Sequence, residues 1–370
     1  MKKIAVFCDF FNEFGGTEYY NYQLIKCLAN TGQDVKVFIG ERPRNMFWIN
    51  KIFEINVEVF FPEEFHKSLS DSSIEKKFIC IIKSFFHIWK PEIIHAHPMG
   101  KLLTSWMMLE EKDGIKVVAT EWTTPNKNTE HWYPDNLKKY INEIDAIIVT
   151  CDTSRIGLRE FLNYKKNIKY IPHLLHPCSE EFELSKEKNH SMGCISRLSP
   201  EKGLVFLLGA WKKVVDLYPD STLHIYGDGN EYGSLVLLTK ALGIKDNVFF
   251  EKTFTPITGI DEIAKKHNVF IQPSLFESIP TSIIELMMRK RIVITTNVGG
   301  IPEIINSGHT NGIMVNPGST EEIYDAIIKI LSDISYISER GINTHQQIIS
   351  KYNLSENIKK ILNVYDEISI

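Results

Sequence analysis

The chain reads as an α/β protein with two Rossmann-like domains, on three observations. Short apolar stretches alternate with amphipathic stretches of helical length, and the alternation runs through the chain twice. Between the two sets, Pro172 to His190 carries two prolines, several histidines and then a run of Glu and Lys, which is a linker composition. The length, 370 residues, exceeds what one typical core serves and suits two. The expected division is a first domain over residues 1–171, a linker over 172–190 and a second domain from 191. Alternation of this kind means parallel sheets covered by helices. Their ligands sit at the carboxyl ends of the strands, so two such domains facing each other make one deep cleft.

In the first set, strands are predicted near Ile4–Cys8, Val35–Ile39, Val57–Phe61, Ile93–Ala96, Val117–Thr120, Ala146–Thr150 and Lys169–Ile171. After the first of them, Gly15-Gly16-Thr17-Glu18 opens a helix over Tyr19–Ala29, with Thr17 available as its cap. The two glycines allow close backbone approach to a ligand. This is not the Gly-x-Gly-x-x-Gly dinucleotide fingerprint, so hydride transfer is disfavoured. Arg42 to Lys51 mixes basic and aromatic residues in a predicted loop, and either membrane contact or an ordinary surface fits it. Ile74–Lys90 reads as a core helix with snorkelling lysines, a membrane-resting helix being the alternative. His95 and His97 alternate on one strand without a third ligand nearby, so they do not make a metal site.

The second set begins near Met192 and continues through Leu223–Tyr226, Val248–Phe250, Val269–Gln272, Ile292–Thr295 and Gly312–Val315. In Ile195-Ser196-Arg197-Leu198-Ser199-Pro200-Glu201-Lys202-Gly203, Arg197 and Lys202 converge on one loop ahead of a helix. Arg grips phosphate oxygens in pairs and Lys adds a point charge. Tyr226-Gly227-Asp228-Gly229 is a tight turn between strand and helix. In Phe276-Glu277-Ser278-Ile279-Pro280-Thr281-Ser282-Ile283-Ile284-Glu285, two carboxylates bracket the start of a helix. Glu277 falls in the loop after a strand, Pro280 in the helix's first turn and Glu285 in its second. The backbone N–H groups from Ser278 to Thr281 are a ready phosphate site. One carboxylate can hold sugar hydroxyls, the N–H groups a diphosphate and the other carboxylate a ribose diol, a geometry that suits a nucleotide-sugar.

Glu277-x7-Glu285, Arg197-x4-Lys202, the Gly227-Asp228-Gly229 loop, Gly299-Gly300-Ile301-Pro302-Glu303 and the Gly15-Gly16 loop, in this order, resemble the retaining GT-B glycosyltransferases of family 4, the "glycosyltransferase group 1" family. The resemblance covers nearly the whole chain. It implies the GT-B fold, with the two Rossmann-like domains facing across a cleft, and returns the last helical stretch, 354–370, to the first domain, ending the second at 353. It assigns Arg197 and Lys202 to the donor diphosphate, Glu277 to the hydroxyls of the donor sugar and Glu285 to the ribose. Gly16, Ser278, Ile279, Pro280 and Thr281 complete the donor site. Base recognition falls on backbone groups near Lys252–Phe254.

Transfer in the family is from the same face of the sugar, the leaving phosphate taking the acceptor's proton, so Glu277 is not assigned as a nucleophile. The His-x-His-Pro segment places His97, with Gly15, at the acceptor or sugar side of the cleft and His95 inside. Many relatives follow the fifth strand with a histidine that contacts the sugar; here Glu121 and Trp122 stand there. Trp122 can stack on a sugar face, Glu121 can act as a base towards an acceptor hydroxyl, or both merely close the strand's end.

Bulk properties narrow the function further. A net charge of -4 gives no support for nucleic-acid binding. Six scattered cysteines without Cys-x-x-Cys spacing read as free thiols of a reducing cytoplasm. Met1-Lys2-Lys3 leads straight into a strand without the pattern of a signal peptide, and no apolar run is of membrane-spanning length. The absence of any Asp-x-Asp triplet fits a metal-independent reaction, with no cofactor beyond the nucleotide-sugar substrate. The expectation is therefore a cytoplasmic hexosyltransferase, with possible peripheral contact at the inner face of the membrane. It moves a sugar from a nucleoside-diphosphate donor, UDP by default, to a saccharide or lipid-linked acceptor in cell-surface polysaccharide or glycoconjugate synthesis. The alternatives are a nucleotide-sugar epimerase or synthase of the same build, and a non-catalytic scaffold that binds the same ligand. A periplasmic-type binding protein also has two Rossmann-like lobes, but the phosphate and carboxylate motifs argue against it.

Overall fold

Among the described residues, thirteen strands and the helices between them sort into two units in the computed structural model, residues 1–176 with 353–370 and residues 177–352. The structure describes the whole chain except residues 13–14, 64–71, 176–177, 179–181, 184–189, 252–258, 306–311, 333–344 and 370, and at 72–75 it describes the backbone alone.

In the first unit, Lys3–Cys8 (β1), Asp34–Ile39 (β2), Glu58–Phe60 (β3), Ile93–Ala96 (β4), Lys116–Glu121 (β5), Ala146–Val149 (β6) and Asn167–Tyr170 (β7) form one sheet in the order β3-β2-β1-β4-β5-β6-β7. Every pairing in it is parallel. Helices cover both faces because the central strands are apolar on both; Ile4, Ala5, Val6 and Cys8 of β1 are all fully buried. The core is strongly aromatic, with Phe7 edge-on to Phe38 and to Trp106 and further packing from Phe86. The closing helix Leu354–Ser369 belongs to this unit and buries Ile358, Ile361, Val364 and Tyr365 at helical spacing.

In the second unit, Ser191–Ile195 (β8), Thr222–Tyr226 (β9), Val248–Glu251 (β10), Val269–Gln272 (β11), Ile292–Thr296 (β12) and Gly312–Val315 (β13) form a parallel sheet in the order β10-β9-β8-β11-β12-β13. Helix Leu204–Leu217 buries Leu204, Leu207, Leu208, Trp211 and Val214 against it.

The strand order reverses between β1 and β4 in one sheet and between β8 and β11 in the other. At such a switch point the connections after adjacent strands leave to opposite sides, and a crevice opens at the carboxyl ends. The loops singled out from the sequence follow these strands. Gly15-Gly16 follows β1 and His97 follows β4; Arg197 and Lys202 follow β8 and Glu277 follows β11.

Three local expectations are corrected. Arg42 to Lys51 is not all loop: Phe47–Phe53 is a helix, with Trp48 only 1% exposed and Ile49 fully buried. Trp48 packs against Phe11, Tyr19 and Tyr22, an apolar niche that the local composition does not reveal. The first long helix begins at Gly16, one turn earlier than expected, and Gly15, not Thr17, is its extended cap residue. Pro280 likewise precedes the helix Thr281–Met288, its ψ of 117° lying outside the helical region.

Helix Ser72–Trp89 matches the core-helix reading on its inner face, where Phe78, Ile79, Ile82, Phe86 and Trp89 are buried. Its outer face carries Ile81 and Ile88, 64% and 82% exposed.

Candidate donor and acceptor sites

In the second unit, β8 and β11 are hydrogen-bonded neighbours, with Met192 opposite Val269 and Gly193 opposite Phe270. Their following loops therefore leave the sheet side by side. Leu275 N–H donates to Glu201 O at 2.8 Å, tying one loop to the other. Gly203 sits at φ +65°, and a Cβ there would lie 2.2 Å from Pro273 O, so only glycine lets the loops approach this closely.

This stitching brings Lys202 onto Glu277, with Nζ 2.6 Å from Oε1, both side chains largely shielded from solvent. Two further donors reach the same oxygen: Ser274 Oγ at 2.8 Å and Gln272 Nε2 at 3.2 Å. Gln272 Oε1 in turn accepts from Ser282 Oγ at 2.9 Å. On the other flank the Gly299-Gly300 turn lies directly on the Glu277 loop. Gly300 N–H donates to Ser278 O at 2.7 Å, and a Cβ on Gly299, at φ +56°, would lie 1.9 Å from Glu277 O. Ile279 and Pro280 are buried, while Ser278 and Thr281 are half-buried at the helix start, where main-chain N–H groups lack intrahelical acceptors.

Glu285 lies in the second turn of that helix, half-buried. Burial pushes its carboxyl up to about 7; Arg289 pulls it back down and Asp261 adds to the rise. Arg289 is itself held in an ion pair by Asp261 and donates to Glu285 O at 2.8 Å. Sequence reasoning missed this pair, because Asp261 and Arg289 are far apart in the chain and meet only where two helices pack. Arg197 is exposed at the end of β8, where its charge acts on Glu201. Residues 252–254, expected beside the base, lie outside the described residues.

In the first unit, β1, β4 and β5 are adjacent, which gathers Gly15, Gly16, His97, Glu121 and Trp122 at one end of the sheet. Gly15 and Gly16 are half-buried at the helix start, and a side chain at Gly15 would meet the Glu18 carboxylate at 2.8 Å. His97 is fully buried beneath this surface. Its Nδ1 pairs with Asn21 Oδ1, and its Nε2 has no hydrogen-bond partner among the described residues. Burial drives its pKa well below the usual histidine value, so the ring is neutral. The half-buried Trp122 covers it, with ring centroids 4.9 Å from His97, 4.8 Å from Tyr20 and 4.4 Å from His173. His95 lies deeper, bonded to Tyr365 and, at 2.7 Å, to Thr120 Oγ1.

Glu121 remains in β5, paired with Val149, and is 3% exposed. Its Oε1 accepts from Thr123 N–H at 2.6 Å and Thr123 Oγ1 at 2.7 Å, and Tyr133 joins through Thr123. Burial raises its carboxyl to about 7 despite those hydrogen bonds. Glu121 thus braces the turn after β5, and Trp122 is the member of the pair turned towards the surface.

Comparison with known proteins bears on both units. The model for "Glycosyl transferases group 1" matches residues 179–346, and that for "Glycosyltransferase Family 4" matches residues 14–176. The chain is similar to the GPI3 subunit of phosphatidylinositol N-acetylglucosaminyltransferase from Saccharomyces cerevisiae, at 22% identity over 99% of this chain and 83% of the relative. It is also similar to poly(ribitol-phosphate) alpha-N-acetylglucosaminyltransferase from Staphylococcus aureus, at 24% identity over 62% of this chain and 46% of the relative. Among solved structures, sucrose-phosphate synthase from Thermosynechococcus elongatus superposes with a TM-score of 0.82 at 18% identity, over 100% of this chain and 99% of that one. HepE of Anabaena, solved with UDP and glucose, gives 0.81 at 17% identity, over 99% of this chain and 100% of that one.

Proposed function

The chain belongs to the group 1 (family 4) glycosyltransferases of GT-B fold, and on that premise we propose that it is a retaining, metal-independent enzyme using a nucleoside-diphosphate sugar, UDP first among the bases. The observation that carries this reading is the meeting of Lys202 and Glu277 at 2.6 Å, on adjoining loops beside a helix start that also bears Glu285. Glu277, the cation with the main-chain N–H groups, and Glu285 match the sugar, the diphosphate and the ribose of such a donor. Lys202 and Arg197 stabilise the charge growing on the departing diphosphate, a preorganised electrostatic role. The N–H groups at the start of helix Thr281–Met288 add to it. Glu277 orients the sugar through its hydroxyls: the three protein donors all fall on Oε1, which leaves Oε2 for the substrate. Glu285 takes the ribose diol.

The acceptor is a saccharide or a lipid-linked molecule of cell-surface glycoconjugate synthesis; in support, the yeast relative is named for transfer to phosphatidylinositol and the staphylococcal one for transfer to poly(ribitol-phosphate). We assign its side of the reaction to Gly15 and Trp122, with His97 and Glu121 supporting them from below, and keep Gly16 with the donor. No helix among the described residues is long and apolar enough to cross a membrane. A cytoplasmic enzyme would meet a lipid-linked acceptor at the membrane's inner face, and we propose the outer edge of Ser72–Trp89, with Ile81 and Ile88 beside exposed Lys77, as that contact.

The test is thermal stabilisation by UDP, GDP, ADP, CMP and dTDP, with and without EDTA. A ligand that binds only the native state raises its stability. One nucleoside diphosphate should raise the melting temperature, and EDTA should not alter the rise. No shift with any of them would count against the nucleotide-sugar site itself, and a shift abolished by EDTA would remove the metal-independent reading.

A further inference from the structure

Glu277 Oε1 is crowded. It accepts from Lys202 Nζ, Ser274 Oγ and Gln272 Nε2, at 2.6, 2.8 and 3.2 Å. Lys202 is assigned above to the donor's diphosphate, so on that reading its ammonium is shared with, or drawn away to, the phosphate oxygens when the donor arrives. A largely buried carboxylate stripped of its hydrogen bonds is strongly disfavoured. Ser274 and Gln272, fully buried and 5% exposed, remain to hold it.

A glutamine amide has two ends, and only the NH₂ end can serve a carboxylate. Glu277 can only accept and so takes Nε2, which leaves Gln272 Oε1 facing Ser282, whose hydroxyl donates to it at 2.9 Å and anchors the amide in that orientation. Ser282 stands in the first turn of the helix that carries Glu285, and Gln272 is the last residue of β11. The chain Ser282–Gln272–Glu277 therefore ties the carboxylate's orientation to the helix start at which the diphosphate is proposed to bind.

We propose that Gln272, its amide anchored by Ser282, is a positioning residue that holds Glu277 Oε2 towards the donor sugar while the diphosphate engages Lys202. The inference rests on the donor-site reading above and adds to it two residues outside the motif positions that suggested that site. The role is distinct from nucleotide binding: Gln272 acts only through Glu277, and Glu277 acts on the sugar.

Calorimetric titration of the full chain with UDP, UDP-glucose and UDP-N-acetylglucosamine separates sugar from nucleotide. The readout is the affinity for the preferred UDP-sugar divided by that for UDP. Gln272→Met should lower this ratio on the order of tenfold, the scale of one hydrogen bond to a charged group, and weaken UDP itself about threefold at most. Ser282→Ala, at a half-buried position where folding is not at risk, should lower it about threefold through loss of the amide's orientation. In a Glu277→Gln background, Gln272→Met should change the ratio no further. Equal weakening of UDP and UDP-sugar, or a further fall in the Glu277→Gln background, would overturn the proposal and leave Gln272 a packing residue. If Glu277→Gln itself leaves the ratio unchanged, or neither these probes nor any other nucleotide of the stabilisation panel binds, the donor-site reading falls and this inference with it.

Discussion

The two units share a parallel-sheet plan and a switch point, yet the polar groups gathered there are organised in opposite ways. At the β8–β11 switch the charged groups of two loops meet each other: Lys202 on Glu277, with Gln272 and Ser282 behind them. At the β1–β4 switch the polar groups are turned inward. His97 is buried and neutral, Glu121 is folded back onto Thr123, and the half-buried Trp122 lies over His97 and the buried Tyr20. A preformed ion pair at a helix start fits a ligand with a fixed anionic part. A half-buried indole over a neutral core fits a ligand without charge, recognised by shape and stacking. The division of labour proposed for the two units follows from this contrast.

The sharpest way to break the comparison is to strike the ion pair from each side. Glu277→Gln should lower transfer by at least about a hundredfold while nucleoside-diphosphate affinity stays near wild type, since the lost interaction is with the sugar. Lys202→Ala should instead weaken nucleoside-diphosphate affinity by about ten- to a hundredfold, the scale of charge-assisted phosphate contacts. Steady-state kinetics together with titration calorimetry would separate the two. If both variants lost nucleotide affinity equally, the split between sugar and phosphate roles would be wrong.

A second, smaller effect probes the inward-turned unit. Glu121 has a folded-state carboxyl raised from 4.5 to about 7 by burial. The folded state therefore binds a proton more tightly than the unfolded one. That stabilisation is fully present below about pH 4.5 and is lost as pH rises towards 7. Glu121→Gln keeps an acceptor for Thr123 and removes the titration. Chemical denaturation across pH 4.5 to 8 should find the variant's stability flatter with pH, and higher than wild type at pH 8 by on the order of 1–3 kcal/mol. Equal slopes in the two proteins would show that Glu121 does not titrate in this window. Glu285 is raised in the same direction and contributes to the slope of both proteins alike.

The smallest effect sharpens the contrast in ligand class. Trp122→Phe keeps a ring beside Tyr20 and His97 but removes the indole N–H, which has no partner among the described residues. UDP affinity should stay within about twofold, and transfer to an acceptor should fall by several-fold, in line with the modest worth of a single aromatic contact. A tenfold loss of UDP affinity would place the nucleotide against Trp122 and end the division argued above.

Some of this was legible in the sequence for a definite reason. A parallel strand buried on both faces must be a short apolar run, so Ile4–Cys8, Ile93–Ala96 and Val269–Gln272 announced themselves without tertiary information. The backbone setting of Arg197, Lys202, Glu277 and Glu285 was legible too, because a strand that ends in Gly, Pro and Ser before a periodic stretch is a strand-to-helix turn. Burial was not. Trp48 looked like a surface aromatic among arginines and lysines, but its niche is made by Phe11, Tyr19 and Tyr22, which precede it by many residues. Likewise His97 and Trp122 are adjacent only because β4 and β5 are neighbours in the sheet.

By itself, then, the sequence determined the succession of strands and helices and the loops on which phosphate- and sugar-binding groups stand, because propensity, periodicity and turn chemistry act over a few residues. Only the tertiary structure decided which of those groups touch. Lys202 and Glu277 are 75 positions apart, and they meet because β8 and β11 lie side by side with Met192 opposite Val269. Strand order and register are properties of the packed sheet, and from them come the crowded Glu277 oxygen, the Asp261–Arg289 pair beside Glu285 and the buried imidazole of His97.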